Sequence, residues 1–120
     1  ETINKLQNNG ILVSLFVNPS TRDIETSTHL GADGVEIHTG IYSLANNKES
    51  SLNDIKKCAI LANQHELKVQ AGHGLNYKNI HGITTIPEII EVNIGHSIIC
   101  KSIEVGLFNA VQKMKKLLTN

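Results

Sequence analysis

Short apolar runs divide the chain into segments of strand length. Four such runs occupy residues 11–17, 35–38, 67–71 and 90–94. The first is almost unbroken, which is typical of a strand buried on both faces within a parallel sheet. We therefore predict four strands that pair in one parallel sheet.

Helical patterns lie between the predicted strands. Residues 1–9 are predicted to form the end of a helix. Ser20 with Asp23 resembles a capping box, which opens a second helix, and Ser51 with Asp54 opens a third. Apolar residues follow Ser51 at the spacing of one helix face, so this third helix is expected to be long.

The remaining gaps predict one loop and two further helices. Residues 42–48 are polar and are predicted to form a loop, and a short helix is expected over 77–86. Ser97 is expected to cap a last, uninterrupted helix. A single apolar stripe along that helix is formed by Ile103, Leu107, Val111, Met114 and Leu118.

Strands that alternate with helices at this spacing indicate an α/β fold with a parallel sheet. Four strand–helix units are compatible with two architectures, a small open sheet and half of an eight-unit barrel. The spacing alone leaves both open.

Composition narrows the functional classes. The chain has 120 residues, no net charge and only 3% aromatic residues, which argues against a nucleic-acid-binding surface. It has neither a signal-peptide pattern nor an apolar run near the roughly 20 residues of a membrane span. Two cysteines in such a domain are typical of buried thiols in a reducing compartment, so we expect a cytoplasmic protein.

Chemically capable residues gather at one end of the predicted strands. The carboxyl ends carry Glu36, His38, Thr39, His73 and His96, together with Gly40, Gly72, Gly74 and Gly95. The strand starts carry only Lys68 and Glu91. Because parallel α/β proteins place their sites at the carboxyl ends of the strands, we expect the site there.

Glu36 and His73 are the candidates for acid–base chemistry. Glu36 shares a strand face with His38 and is either a base or charge stabiliser, or the partner in an ion pair. His73 lies between two glycines at a strand end, where a general acid that protonates a leaving hydroxyl is expected.

The Gly95-His96-Ser97 segment precedes the last predicted helix. The free N–H groups of a first helical turn can bind phosphate, although an ordinary capped helix has the same short sequence. Zinc binding by His38, His73 and His96 is not favoured, because no pair has i, i+4 spacing. We expect no metal and no cofactor.

Five segments in order along the chain are Val13-Ser14-Leu15-Phe16, Glu36-Ile37-His38-Thr39-Gly40, Ala71-Gly72-His73-Gly74-Leu75-Asn76-Tyr77, Ile86-Pro87-Glu88 and Asn93-Ile94-Gly95-His96-Ser97-Ile98-Ile99. Together they resemble the pyridoxine 5'-phosphate synthases. That family is a (β/α)₈ TIM barrel about twice this length. The resemblance therefore implies that residues 1–120 are the C-terminal half of one barrel domain, strands five to eight.

The resemblance also implies a reaction and roles for five residues. The family condenses 3-amino-2-oxopropyl phosphate with 1-deoxy-D-xylulose 5-phosphate to pyridoxine 5'-phosphate, phosphate and water. His73 matches its proton donor and Glu36 a carboxylate that stabilises the transition state. Gly74, Gly95 and His96 match contacts with the phosphorylated amino ketone.

The family's other catalytic groups lie on its first four strands, outside these residues. We therefore expect this chain alone to be inactive and to need the N-terminal half of the barrel. The family forms an octamer, so a homo-oligomer is expected. Cys100 and Lys101 stand where the family usually has Gly-Arg.

Two other interpretations stay open at this point. One is half of another phosphate-binding, aldolase- or isomerase-like barrel, which would predict a Schiff-base lysine at a strand end. The other is a fragment without catalytic function.

Overall fold

The computed structural model describes residues 1–119 as four strands and seven helices. The strands are β1 Ser14–Val17, β2 Gly34–His38, β3 Lys68–Gly72 and β4 Ile89–Asn93. The helices are α1 Thr2–Gln7, α2 Thr21–His29, α3 Gly40–Leu44, α4 Glu49–Gln64, α5 Ile80–Thr84, α6 His96–Val105 and α7 Leu107–Leu118.

The four strands form one parallel sheet in chain order, β1-β2-β3-β4. Val35 pairs with Val69 at the centre of the sheet, and the pairing of β3 with β4 shifts register after Val69. The predicted parallel α/β sheet is confirmed. Each strand lies beside the next one in sequence, which fits half of a (β/α)₈ barrel.

Helices cover one face of this sheet and leave the other open. Val35, Ile37, Val69 and Ala71 point towards the helices and are at most 1% exposed. The α4 helix packs on this face with Ile55, Cys58, Ala59 and Ala62, which recur at helical spacing and are buried. The alternate strand residues therefore face the side that would be the interior of a closed barrel.

The open face gives the chain a flattened shape. Its radius of gyration is 15.2 Å, whereas a compact domain of this length has about 13.6 Å. Within residues 1–119, the outer strands β1 and β4 each pair on one side only.

The expectation that the first strand is buried on both faces is wrong for these residues, because Phe16 is 57% exposed on the open face.

Two local predictions are corrected in the loops and short helices. Residues 42–48 are not simply a polar loop, because α3 runs through Leu44. The helix expected over 77–86 is shorter, since only Ile80–Thr84 are helical.

The last predicted helix is in fact two helices. Gly106 has a φ of +80°, so α6 ends at this residue and α7 begins after it. The predicted apolar stripe therefore does not run along a single helix. Met114 is buried, whereas Ile103 is 84% exposed. Ser97 also fails to cap, because Gly95 occupies the N-cap and the Ser97 hydroxyl donates to the Leu75 carbonyl at 2.9 Å.

The two cysteines have different environments. Both are free thiols, and Cys58 is buried as expected, whereas Cys100 is exposed. Burial, with a smaller contribution from Asp54, raises the pKa of the Cys58 thiol, which favours its protonated form.

Within residues 1–119, none of the helices is both long enough and apolar enough to cross a bilayer.

Asp33 joins three segments at the end of the sheet opposite the strand carboxyl ends. Its Oδ2 accepts hydrogen bonds from the Val13 backbone N–H at 2.7 Å and from the Gln7 side chain at 3.0 Å. These hydrogen bonds lower the pKa of Asp33, and the bond from Gln7 contributes most. The positive charge of Lys68 lowers this pKa further. The carboxylate thus holds α1 and the start of β1 against β2.

Replacing Asp33 with Asn is expected to lower the melting temperature at pH 7. A lowered folded-state pKa contributes stability above the ordinary value of 3.8 and loses it as pH falls through the folded value. The difference from wild type should therefore be largest near neutrality and shrink in acid. Thermal melts between pH 3 and 7 measure it, using the parent polypeptide, which is this chain joined to the N-terminal half that the resemblance implies.

Asp54→Asn is the matched control, because Asp54 lies exposed on α4. A difference for Asp33→Asn that persists unchanged at pH 3 would contradict the role given to the ionised carboxylate.

Candidate functional site

The loops after β3 and β4, which carry His73-Gly74 and Gly95-His96, line one cleft at the carboxyl ends of these strands. The cleft has a volume of about 540 Å³. Its walls are His73, Gly74, Leu75, Asn76, Asn93, Ile94, Gly95, His96 and Ser97. Four of the five residues predicted to form the site thus lie together, and the fifth, Glu36, lies beside them on β2.

His73 has an unusual backbone conformation at the edge of this cleft. Its φ is +82° and that of Gly74 is +75°, a region that residues with a Cβ rarely adopt. The buried Thr39 hydroxyl lies 2.8 Å from the Gly72 carbonyl oxygen and 2.7 Å from that of His73. Ser43 Oγ also donates to the His73 carbonyl, at 3.3 Å. The end of β2 and the start of α3 therefore hold this turn in place.

The imidazole of His38 lies against that of His73. The two ring centroids are 4.5 Å apart with an interplanar angle of 29°, a stacked arrangement. On its other side, His38 meets Phe16 edge-on, with centroids 5.2 Å apart. A row of three rings therefore runs from β1 to the loop after β3.

The Glu36 carboxylate is held on the open face by Asn93 and by the absence of a side chain at Gly72. Asn93 Nδ2 donates to Glu36 Oε2 at 2.7 Å, which joins β2 to β4 across β3. A Cβ on Gly72 would collide with Glu36 Oε1. Glycine at position 72 is thus a condition for this carboxylate position.

The α6 helix begins at the far wall of the cleft. Gly95 is its N-cap, and the N–H groups of its first turn have no partner within the helix, so they can donate to an anion. His96 is the first helical residue, and its Nε2 lies 3.6 Å from Cys100 Sγ. Because Ser97 is bonded to the Leu75 carbonyl, the start of α6 is fixed to the loop that carries His73.

A sequence comparison places these features in a known family. The family described as pyridoxal phosphate biosynthesis protein PdxJ matches residues 1–120. The chain belongs to the PdxJ family.

Curated relatives agree with this assignment. The chain is 48% identical over 120 residues to the pyridoxine 5'-phosphate synthase of a Sulfurihydrogenibium species, covering 98% of the chain and 49% of that protein. It is 45% identical to the enzyme of the same name from Chlorobium phaeobacteroides and 46% identical to that from Blochmanniella pennsylvanica, covering 98% of the chain in each case and 51% and 50% of those proteins. The PdxJ-family chain thus spans about half the length of the curated relatives it matches.

The α3 segment of this PdxJ-family chain was missed by sequence reasoning, although it holds the site. Tyr42 is buried and its hydroxyl donates to the Asn79 carbonyl, and burial raises the pKa of that hydroxyl. Lys48 Nζ donates to the carbonyls of Tyr42, Ser43 and Ala45 at 2.8–3.2 Å, and these bonds satisfy carbonyls at the C-terminal end of this short helix.

Asn93 was also missed as a site residue. It lies in a segment that resembles the family, but its partner is 57 positions away in sequence, so only the sheet register brings the two together. The available signal was its position in β4, where alternation places it on the open face with Glu91.

Two other kinds of site, a metal centre and a Schiff-base lysine, can be compared with this cleft. Among residues 1–119, no group of three or more His, Cys, Asp or Glu side chains could hold a metal ion. Lys68 begins β3 and so lies at the end of the strand away from the cleft. This position counts against a Schiff-base mechanism that uses this lysine.

If Glu36 takes part in catalysis in the parent polypeptide, replacing Gly72 with Ala is expected to lower its kcat/KM by about 10²-fold. The added methyl group must displace the Glu36 carboxylate, and a displacement near 1 Å costs about that much where reacting groups must be aligned. Steady-state kinetics at saturating and limiting substrate measure the loss.

Glu36→Asp provides the matched background, because a carboxylate one methylene shorter leaves room for the alanine. The loss caused by Gly72→Ala should be much smaller in the Glu36→Asp protein than in wild type. An equal loss in both backgrounds would show that the methyl group acts elsewhere, for example on the adjoining His73 turn.

Proposed function

We propose that this chain is the C-terminal half, strands five to eight, of a (β/α)₈ pyridoxine 5'-phosphate synthase. Residues 1–120 would form half of a single barrel domain. The complete protein would condense 3-amino-2-oxopropyl phosphate with 1-deoxy-D-xylulose 5-phosphate and release pyridoxine 5'-phosphate, inorganic phosphate and water.

The observation that supports this proposal is the shared cleft at the carboxyl ends of the strands. It combines a helix N-terminus suited to phosphate with an exposed imidazole on a strained turn, and a carboxylate lies on the next strand. Ring-closing condensation requires these functions, because imine formation and dehydration move protons while a phosphate group anchors the substrate.

Each residue is given one task in the proposal. His73 protonates the hydroxyl that leaves as water. Glu36 stabilises positive charge that develops on the nitrogen-containing intermediate, from the position fixed by Asn93. Gly74 permits the turn beside Ser43, because a Cβ added to this glycine would be only 2.8 Å from that side chain. Gly95 and His96 bind the phosphate of the amino ketone at the start of α6.

The proposed partners are the N-terminal half of the barrel and further copies of the protein. The open polar face and the two outer strands of this half are surfaces that a closed barrel would cover.

The competing hypothesis is a fragment without catalytic function. An assay of the parent polypeptide distinguishes the two hypotheses, because only the synthase forms product.

In the parent polypeptide, His73→Ala is expected to lower kcat for pyridoxine 5'-phosphate formation by about 10²- to 10⁴-fold, the usual contribution of a positioned general acid. The measurement follows product from the two phosphorylated substrates. His81→Ala is the matched control, because His81 is an exposed histidine on α5, outside the cleft.

Product formation by wild type and by His81→Ala, but hardly by His73→Ala, is the expected result. Absence of product with a folded parent polypeptide would reject the proposed reaction. Product formed at the wild-type rate by His73→Ala would keep the reaction and remove His73 from its mechanism.

The 120-residue chain alone is expected to form no product and to self-associate. Its outer strands expose unpaired backbone groups and its open face exposes Phe16. Co-expression with a polypeptide that carries the preceding four barrel units should restore a defined assembly and activity. Size-exclusion chromatography with light scattering, followed by the same assay, tests both statements, and an active, monodisperse monomer of the 120-residue chain would contradict them.

A further inference from the structure

The His73 imidazole has little to hold it. The side chain is exposed at the edge of the cleft. The hydrogen bonds made by His73 within residues 1–119 involve its backbone carbonyl, and none is made by its ring. Its defined ring contact is the stack on His38 at 4.5 Å. The orientation of the imidazole therefore depends on His38.

His38 is itself well placed for this task. It lies on β2, a central strand, and its ring is partly buried. The Gly40 N–H faces its Nδ1 at 3.4 Å, and Phe16 supports the ring edge-on. A Cβ on Gly40 would collide with His38 Cε1, so the glycine leaves the space that the ring occupies.

We infer that His38 is a positioning residue, which holds the His73 imidazole in its working orientation by stacking on it. This inference rests on the proposed function, because it assigns His38 to the same site. Its basis is the stacked pair of imidazoles at the ends of neighbouring strands. The task needs a flat ring at position 38, and it does not need a group that exchanges protons.

Two substitutions at position 38 distinguish a role of the flat ring from a role of its nitrogen atoms. His38→Ala removes the ring and is expected to lower kcat of the parent polypeptide by roughly 10- to 100-fold, because a misdirected acid loses alignment. KM should change little, since phosphate binding at the start of α6 is untouched. His38→Phe keeps a flat ring and should retain kcat within a few-fold of wild type.

A double-mutant cycle tests whether His38 acts through His73. If it does, His38→Ala/His73→Ala should be no slower than His73→Ala alone. Additive losses would overturn the inference, as would a His38→Phe protein that folds but is as slow as His38→Ala. The cycle does not need His38→Phe, so it decides the matter if phenylalanine is too large beside Gly40.

A readout independent of activity comes from NMR of the histidine ring protons. Stacking should shift the His73 ring resonances upfield through the ring current of His38, and His38→Ala should abolish this shift. An unshifted His73 resonance in wild type would overturn the inference even if the enzyme is active. A shifted resonance in a protein that forms no product would instead reject the proposed function and leave the stack itself in place.

Discussion

The contacts of Thr39 with the turn after β3 are the interaction on which the candidate site depends. Thr39 is fully buried at the end of β2, and its Oγ1 lies within 2.8 Å of the carbonyl oxygens of Gly72 and His73. The Gly72 carbonyl also accepts the Thr39 backbone N–H at 2.8 Å, so both polar groups of Thr39 hold a turn that the positive φ of His73 would otherwise disfavour. The same turn sets the direction of the His73 side chain and the start of the loop that Ser97 joins to α6.

The open face of the sheet shows how polar groups are accommodated inside such a structure. Ser14 Oγ donates to Gln70 Oε1 at 2.8 Å, and Asn93 donates to Glu36, so polar side chains pair across strands before anything covers them. Burial of these groups in a closed barrel would therefore cost less than burial of isolated ones. The pairs also use the parallel register, because each joins residues that alternation places on the same face.

The sequence was sufficient for the strands and for placing the candidate residues at one end of the sheet, because both follow from local patterns. Apolar runs mark β2 and β3, and the residues that end them include His38 and Gly72. The α3 helix was not predictable in this way, since the Lys48 ammonium caps it and Tyr42 anchors it to a distant carbonyl. The break at Gly106 had a visible signal, a glycine inside a helical pattern, which the continuous spacing of apolar residues obscured. The ring stack and the Asn93 contact depend on register between strands, which the pattern of one strand does not contain.

The strictly sequential order of the sheet has a consequence for how the chain folds. Every pairing in β1-β2-β3-β4 joins a strand to its immediate successor, so no loop longer than one strand–helix–strand unit must close before a contact forms. Paired residues are nevertheless 20 to 34 positions apart, as in Ser14 with Gly34 and Gly34 with Lys68, so each strand pairing still requires closure of one helical crossover. A ribosome that releases these units one after another would let each new strand add to an existing template. In a closed barrel, the entropically most expensive contact would be the seam between the first and the last strand.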